Sequence, residues 1–75
     1  MKFSKSSADQ VLIRVGQRVR SARTRRKLTQ AELARTLGLS VAYLSLIERG
    51  GRNPPVTTLA ALARALRVAP RTLVD

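Results

Sequence analysis

The sequence predicts an all-α fold, a compact bundle of about five short helices. Its 75 residues are 44% hydrophobic but only 3% aromatic, which suits aliphatic helix packing better than a β-sandwich rich in Val, Thr and Tyr. Apolar residues recur at spacings of three and four along most of the chain. Glycine and proline interrupt that spacing at a few discrete places, as helix ends do. A chain of this length makes one domain and buries only about 60% of its unfolded surface, so its core is marginal and a second copy would help.

Residues 1–8, with Lys2 and Lys5 among serines, read as a flexible basic arm, and residues 9–75 as the helical domain. The first helix is expected from Asp9 to about Arg26. Val11, Leu12, Val15, Val19 and Ala22 share its inner side, Arg14, Arg18 and Arg25 line a flank, and Arg20 faces away. Thr29 followed by Glu32 is a capping box that opens a second helix, in which the Thr hydroxyl and the Glu carboxylate each satisfy a free backbone N–H. Leu33, Ala34 and Leu37 point inward from it. Gly38 supplies the backbone freedom to stop and turn, and Ser40 caps a third helix running from about Val41 to Glu48.

Leu44 and Ile47 of the third helix face the core, and Gly50 is placed to end it. The stretch GGRNPP from Gly50 to Pro55 is a loop, because two glycines and two prolines do not continue a helix. A fourth helix begins near Thr57 and buries Leu59, Leu62, Ala63 and Leu66. Pro70 opens a short fifth helix that holds Leu73 and Val74.

The formal net charge of +11 calls for an acidic partner, with nucleic acid ahead of anionic lipid or an acidic protein. No apolar run approaches the roughly 18 residues of a membrane span, and MKFSKSS leads into a charged segment rather than a signal core. A helix lying on a membrane would need a strong aromatic and aliphatic face, and the single Phe stands at position 3. No membrane association is expected, and the cytoplasm is the default location. With no Cys there is no disulfide framework and no thiolate metal site. With no His either, and with Asp9, Glu32, Glu48 and Asp75 dispersed, neither an enzyme, a metal site nor a cofactor is expected.

Leu33, Ala34, Leu37, Gly38, Leu39, Leu44 and Ile47 together set a helix, a sharp turn and a second helix crossing it, with small Ala34 permitting close approach. This spacing resembles the helix-turn-helix of the phage repressor and Cro class (XRE-like small transcriptional regulators), over about Val15 to Val74. ERG at Glu48 to Gly50 and RNP at Arg52 to Pro54 add detail specific to that family. The resemblance implies a lambda-repressor-like DNA-binding domain whose third helix lies in the major groove while the second crosses the backbone.

At about 100° per residue, with Leu44 and Ile47 inward, the outward side of the third helix is Val41, Ala42, Ser45 and Leu46, with Tyr43 on its shoulder. With the cap Ser40 these are the candidate base readers: apolar groups can touch thymine methyls, and the hydroxyls can bond a base or a phosphate. Gln30, Tyr43, Arg52 and Asn53 are the candidate phosphate contacts. At Gly51 the family often has Lys or another polar residue, so a contact there would come from backbone. The resemblance pairs Glu48 with Arg23 as an architectural ion pair.

The implied function is a transcriptional regulator that binds double-stranded DNA as a homodimer on a roughly palindromic operator, with two copies of the third helix about 34 Å apart. Leu66, Val68, Leu73 and Val74 are the expected dimerisation residues. Ala69 stands where the family often has Ser before the last helix, which leaves that helix weakly capped. A protein-interaction module, such as an antitoxin that binds DNA mainly in complex with a protein partner, is the competing reading. Uniform coating of nucleic acid is disfavoured, because an uncharged helix face organises the charges around it. Small members of the family include restriction-modification controllers, phage-type repressors and antitoxins.

Overall fold

The computed structural model describes residues 7–75, which form five helices and, among those residues, no strand: α1 (Ser7–Arg25), α2 (Gln30–Leu37), α3 (Val41–Glu48), α4 (Val56–Leu66) and α5 (Pro70–Val74). The long α1 packs most extensively on α3 and α5, α2 packs on α3 and α4, and α4 closes on α5. None of these helices is long and apolar enough to cross a membrane. The basic arm with Lys2 and Lys5 lies outside the described residues. Ser7 and Ala8, placed in that arm by their sequence, belong to α1.

Val15, Val19 and Ala22 of α1 meet Leu33, Ala34, Leu44, Leu62, Ala63, Leu66 and Leu73 in one core. Burying each larger aliphatic side chain contributes about 1.5–3 kcal/mol, so this small set carries most of the hydrophobic stabilisation. Val11 was expected among them but is 42% exposed. Residues 8–11 are all exposed, because the start of α1 runs past the helices that cover Val15.

Two helix starts carry the side-chain caps expected of them. The Thr29 hydroxyl accepts from the Glu32 N–H at 3.0 Å, and the Glu32 carboxylate accepts from the Thr29 N–H at 2.8 Å. The Ser40 hydroxyl accepts from the Tyr43 N–H at 3.0 Å. The fourth helix begins at Val56, one residue earlier than Thr57, with Pro55 as a cap that offers only its carbonyl.

The first four helices end alike, in a Schellman motif with one residue in the left-handed region. In α2 the Leu39 N–H donates to the Ala34 carbonyl at 2.9 Å and the Gly38 N–H to that of Arg35 at 3.2 Å. Gly38 and Gly50 take the left-handed position after α2 and α3, whereas Lys27 and Arg67, both at φ 59°, take it after α1 and α4. Leu28, Leu39 and Val68 follow directly and fold back onto the core.

Gly16 is the close-approach residue that the sequence reading overlooked. A Cβ there would lie 2.6 Å from the carbonyl oxygen of Glu48 and would also strike that of Ile47, so α1 crosses the end of α3 backbone against backbone. Gly50 meets the preceding turn of α1 in the same way, since its Cβ would lie 2.8 Å from the Ile13 Cα. These two contacts fix the angle at which α3 leaves the bundle.

The expected dimerisation set requires a correction. Leu66 and Leu73 are 1% and 0% exposed and fill the core of a single chain, so they have no surface for a second copy. Val68 is half-buried against that core, and of the four only Val74 is exposed. Ala69 gives α5 no side-chain cap. The helix is held instead by Leu73 and by the Arg18 guanidinium, which donates to the Thr72 carbonyl at 3.3 Å.

Candidate nucleic-acid interface

Leu44 and Ile47 anchor α3, and its outer side is left to solvent. Ser40, Val41 and Ala42 are exposed, and Tyr43, Ser45 and Leu46 are half-buried. Leu46 stands at the loop edge of this face: its carbonyl accepts from the Gly51 N–H at 2.8 Å, and a Cβ on Gly51 would meet its side chain at 3.4 Å. Val41 and Ser45 occupy the other edge, toward α1 and the start of α2.

The acidic residue of α3 is turned inward. Glu48 accepts from Arg23 Nε at 2.7 Å on Oε2 and from Arg23 Nη2 at 3.0 Å on Oε1. The third arm of the same guanidinium donates to the Leu28 carbonyl at 2.8 Å. Gln30 Nε2 completes the set, donating to Glu48 Oε1 at 3.0 Å. The carboxylate is thus buried with three charge-matched or polar donors, and no buried side-chain polar atom in the described residues lacks a partner. Three helices are joined at this point: the end of α1, the first residue of α2 and the last of α3.

Gln30 was expected at a phosphate, and the bond to Glu48 limits it. One amide proton is committed, and the carbonyl oxygen and second proton are left for other partners. The bond fixes the direction in which that second proton points.

Between α3 and the α1–α2 turn lies an open cleft of about 740 Å³. Arg20, Lys27 and Arg49 line it together with Val41 and Ser45, and a fourth cation, Arg23, is paired with Glu48. Arg20 faces away from the core of α1, as its position indicates, and lines the cleft beside α3. Arg49 follows the last residue of α3 and enters the sequence reading only within the ERG tripeptide. The signal that reveals it is spacing, since positions 41, 45 and 49 stack on one helix face.

On the other flank, Arg52 and Asn53 are exposed in the loop, which Pro54 anchors by its burial. An uncharged strip therefore has cations on both sides, and the nearest carboxylate is neutralised inside. Such a surface attracts a polyanion along its rim and accepts uncharged groups at its centre.

The helix-turn-helix family profile HTH_3 matches residues 19–73, which include all of α2, α3 and α4. The chain belongs to this helix-turn-helix family. Its members are DNA-binding transcription regulators rather than enzymes, of the phage repressor and Cro type.

Relatives of this helix-turn-helix protein agree with the match. It is 50% identical over 54 residues to the immunity repressor protein of Bacillus phage phi105, an alignment covering 72% of this chain and 38% of the repressor. The chain thus spans well under half the length of that relative. Among solved structures it is similar to the restriction-modification controller protein C.AhdI from Aeromonas hydrophila, with a TM-score of 0.79, 42% identity, and coverage of 83% of this chain and 94% of that one. It is also similar to SinR, the master regulator for biofilm formation, in a structure solved in complex with DNA. There the TM-score is 0.77 at 35% identity, covering 81% of this chain and 98% of the chain in that structure.

Proposed function

We propose that this chain is a sequence-specific regulator of transcription that binds double-stranded DNA in the cytoplasm as a homodimer, with α3 in the major groove. The observation that carries the reading is the uncharged outer side of α3 between two cationic flanks, with Glu48 withdrawn into the Arg23 network. Ser40, Val41, Ala42, Ser45 and Leu46 read base edges. Gln30, Tyr43, Arg52 and Asn53 hold the backbone on either side. The SinR structure in complex with DNA supports this by likeness of fold, and the C.AhdI controller supports the regulatory role.

Affinity should come mainly from phosphate contacts, so log K should fall with log salt at about 0.9 per phosphate neutralised. A gel shift on a duplex selected from a random pool, repeated from about 50 to 200 mM salt, tests this. Six or more phosphates would cost about 1000-fold or more over that range. Binding that is flat with salt would sink the proposal. Two half-sites about 10 base pairs apart, bound by two copies, are the expected arrangement of the selected duplex.

A further inference from the structure

The proposed base readers on α3 are nearly all apolar or hydroxylic, so they offer little directional hydrogen bonding. We infer that Arg49 supplies it, as the specificity-determining side chain that bonds the O6 and N7 edge of a guanine in each half-site. This rests on the reading of α3 as the groove-entering helix.

Three observations converge on Arg49. It is exposed and lies one turn beyond Ser45 and two beyond Val41, on the edge of α3 that lines the cleft. Its Nε–H lies 3.4 Å from the Ser45 carbonyl, which also accepts the Arg49 backbone N–H, so the guanidinium sits over the last turn of α3 beside Ser45, on the side that lines the cleft. The adjacent carboxylate does not neutralise it, because Glu48 is already held by Arg23 and Gln30.

The other cations around the cleft are placed differently. Arg20 and Lys27 come from α1 and the turn after it, and Arg23 is committed to Glu48 and the Leu28 carbonyl. Arg49 is the cation attached to α3 itself. A short side chain at the C-terminal end of a tilted groove helix would fall short of the bases, and a long one spans the gap. The planar fork of Arg matches the two acceptors of guanine in a fixed geometry, whereas the ammonium of Lys reaches them as a less directional point charge.

The test uses the intact 75-residue protein and a duplex it selects from a random pool, varied one base pair at a time. Wild type, Arg49→Ala, Arg49→Lys and Val41→Ala are compared on this set. Position 49 is exposed and outside the Arg23–Glu48 network, so both Arg49 variants should fold. One G·C pair per half-site is expected whose replacement weakens wild type on the order of 5- to 150-fold but leaves Arg49→Ala nearly indifferent, with Arg49→Lys between the two. A 7-deazaguanine at that pair should reproduce part of the loss in wild type only. If Arg49→Ala keeps wild-type preference at every pair and only lowers the salt slope by about 0.9, Arg49 is a phosphate contact and the inference is overturned. In that case a changed preference in Val41→Ala would leave the α3 reading standing. No change of preference in any of the three variants would overturn both.

Discussion

Arg23 grips Glu48 through two parallel hydrogen bonds of 2.7 and 3.0 Å, joining helices that are far apart in the chain. The Glu48 side chain is 2% exposed and the Arg23 side chain 11%, so removing either partner leaves the other poorly solvated. Breaking a buried pair costs about 3–5 kcal/mol, more than the pair itself contributes. The two truncations should differ. Arg23→Ala strands a buried carboxylate with Gln30 as its remaining partner, whereas Glu48→Ala leaves a guanidinium that is partly wet and still bonded to the Leu28 carbonyl. Urea unfolding should place Arg23→Ala below Glu48→Ala, and both below wild type. Equal stability of all three would contradict the role of the pair.

Gly16→Ala should destabilise by about 1–3 kcal/mol, because the new methyl enters the space of the Glu48 carbonyl oxygen. In an unencumbered helix interior the same change would stabilise by roughly 0.5–1 kcal/mol, so the sign of the effect separates crowding from propensity. Gly38→Ala meets nothing within 4 Å but must hold φ near 70°, at a cost of about 1–2 kcal/mol. Thermal melts of the two variants provide the check.

Arg67 sits in the left-handed region with its side chain exposed, a conformation glycine adopts at little cost. Arg67→Gly should therefore stabilise by a few tenths to about 1 kcal/mol once the freer unfolded chain is counted. For a domain of this size that is a rise in Tm of about 2–6 °C. An unchanged or lower Tm would show that the Arg67 side chain makes a contribution that offsets the backbone strain.

The Glu32 carboxyl is held below its ordinary pKa by the Thr29 backbone N–H first and the Thr29 side chain second. A carboxyl lowered in the folded state adds stability above its unfolded pKa, near 4.3, and loses it as pH falls through the folded value. Glu32→Gln keeps a capping acceptor without the titration. Wild type should lose stability faster than Glu32→Gln as pH drops below about 4. Parallel pH profiles would remove this contribution from the account.

Much of the fold was legible because its signals are local. Thr29 and Glu32, Gly38, Ser40 and Pro70 declare their helix ends within a few residues, and α3 spans Val41–Glu48 as its pattern indicates. What was not legible depends on partners distant in sequence. Gly16 reads as an ordinary helical glycine until the end of α3 is laid against it. Leu66 and Leu73 look equally fit for the core or for a second copy, and only the closure of α4 and α5 on α1 decides. The bond from Gln30 to Glu48 joins two helix ends whose separation no periodicity gives. Arg49 was obscured within the ERG tripeptide, although it continues the ridge of Val41 and Ser45.

The outer side of α3 is proposed to read DNA sequence. Ala42 is exposed on that side, away from the core and from the Arg23–Glu48 network. Random-pool selection of duplexes by wild type and by Ala42→Gln tests that role. A glutamine there adds a donor and acceptor pair suited to adenine. A changed base preference is expected at one position in each half-site, with the half-site spacing of about 10 base pairs and the salt slope unaltered. Identical preferences for the two proteins at every position would contradict it.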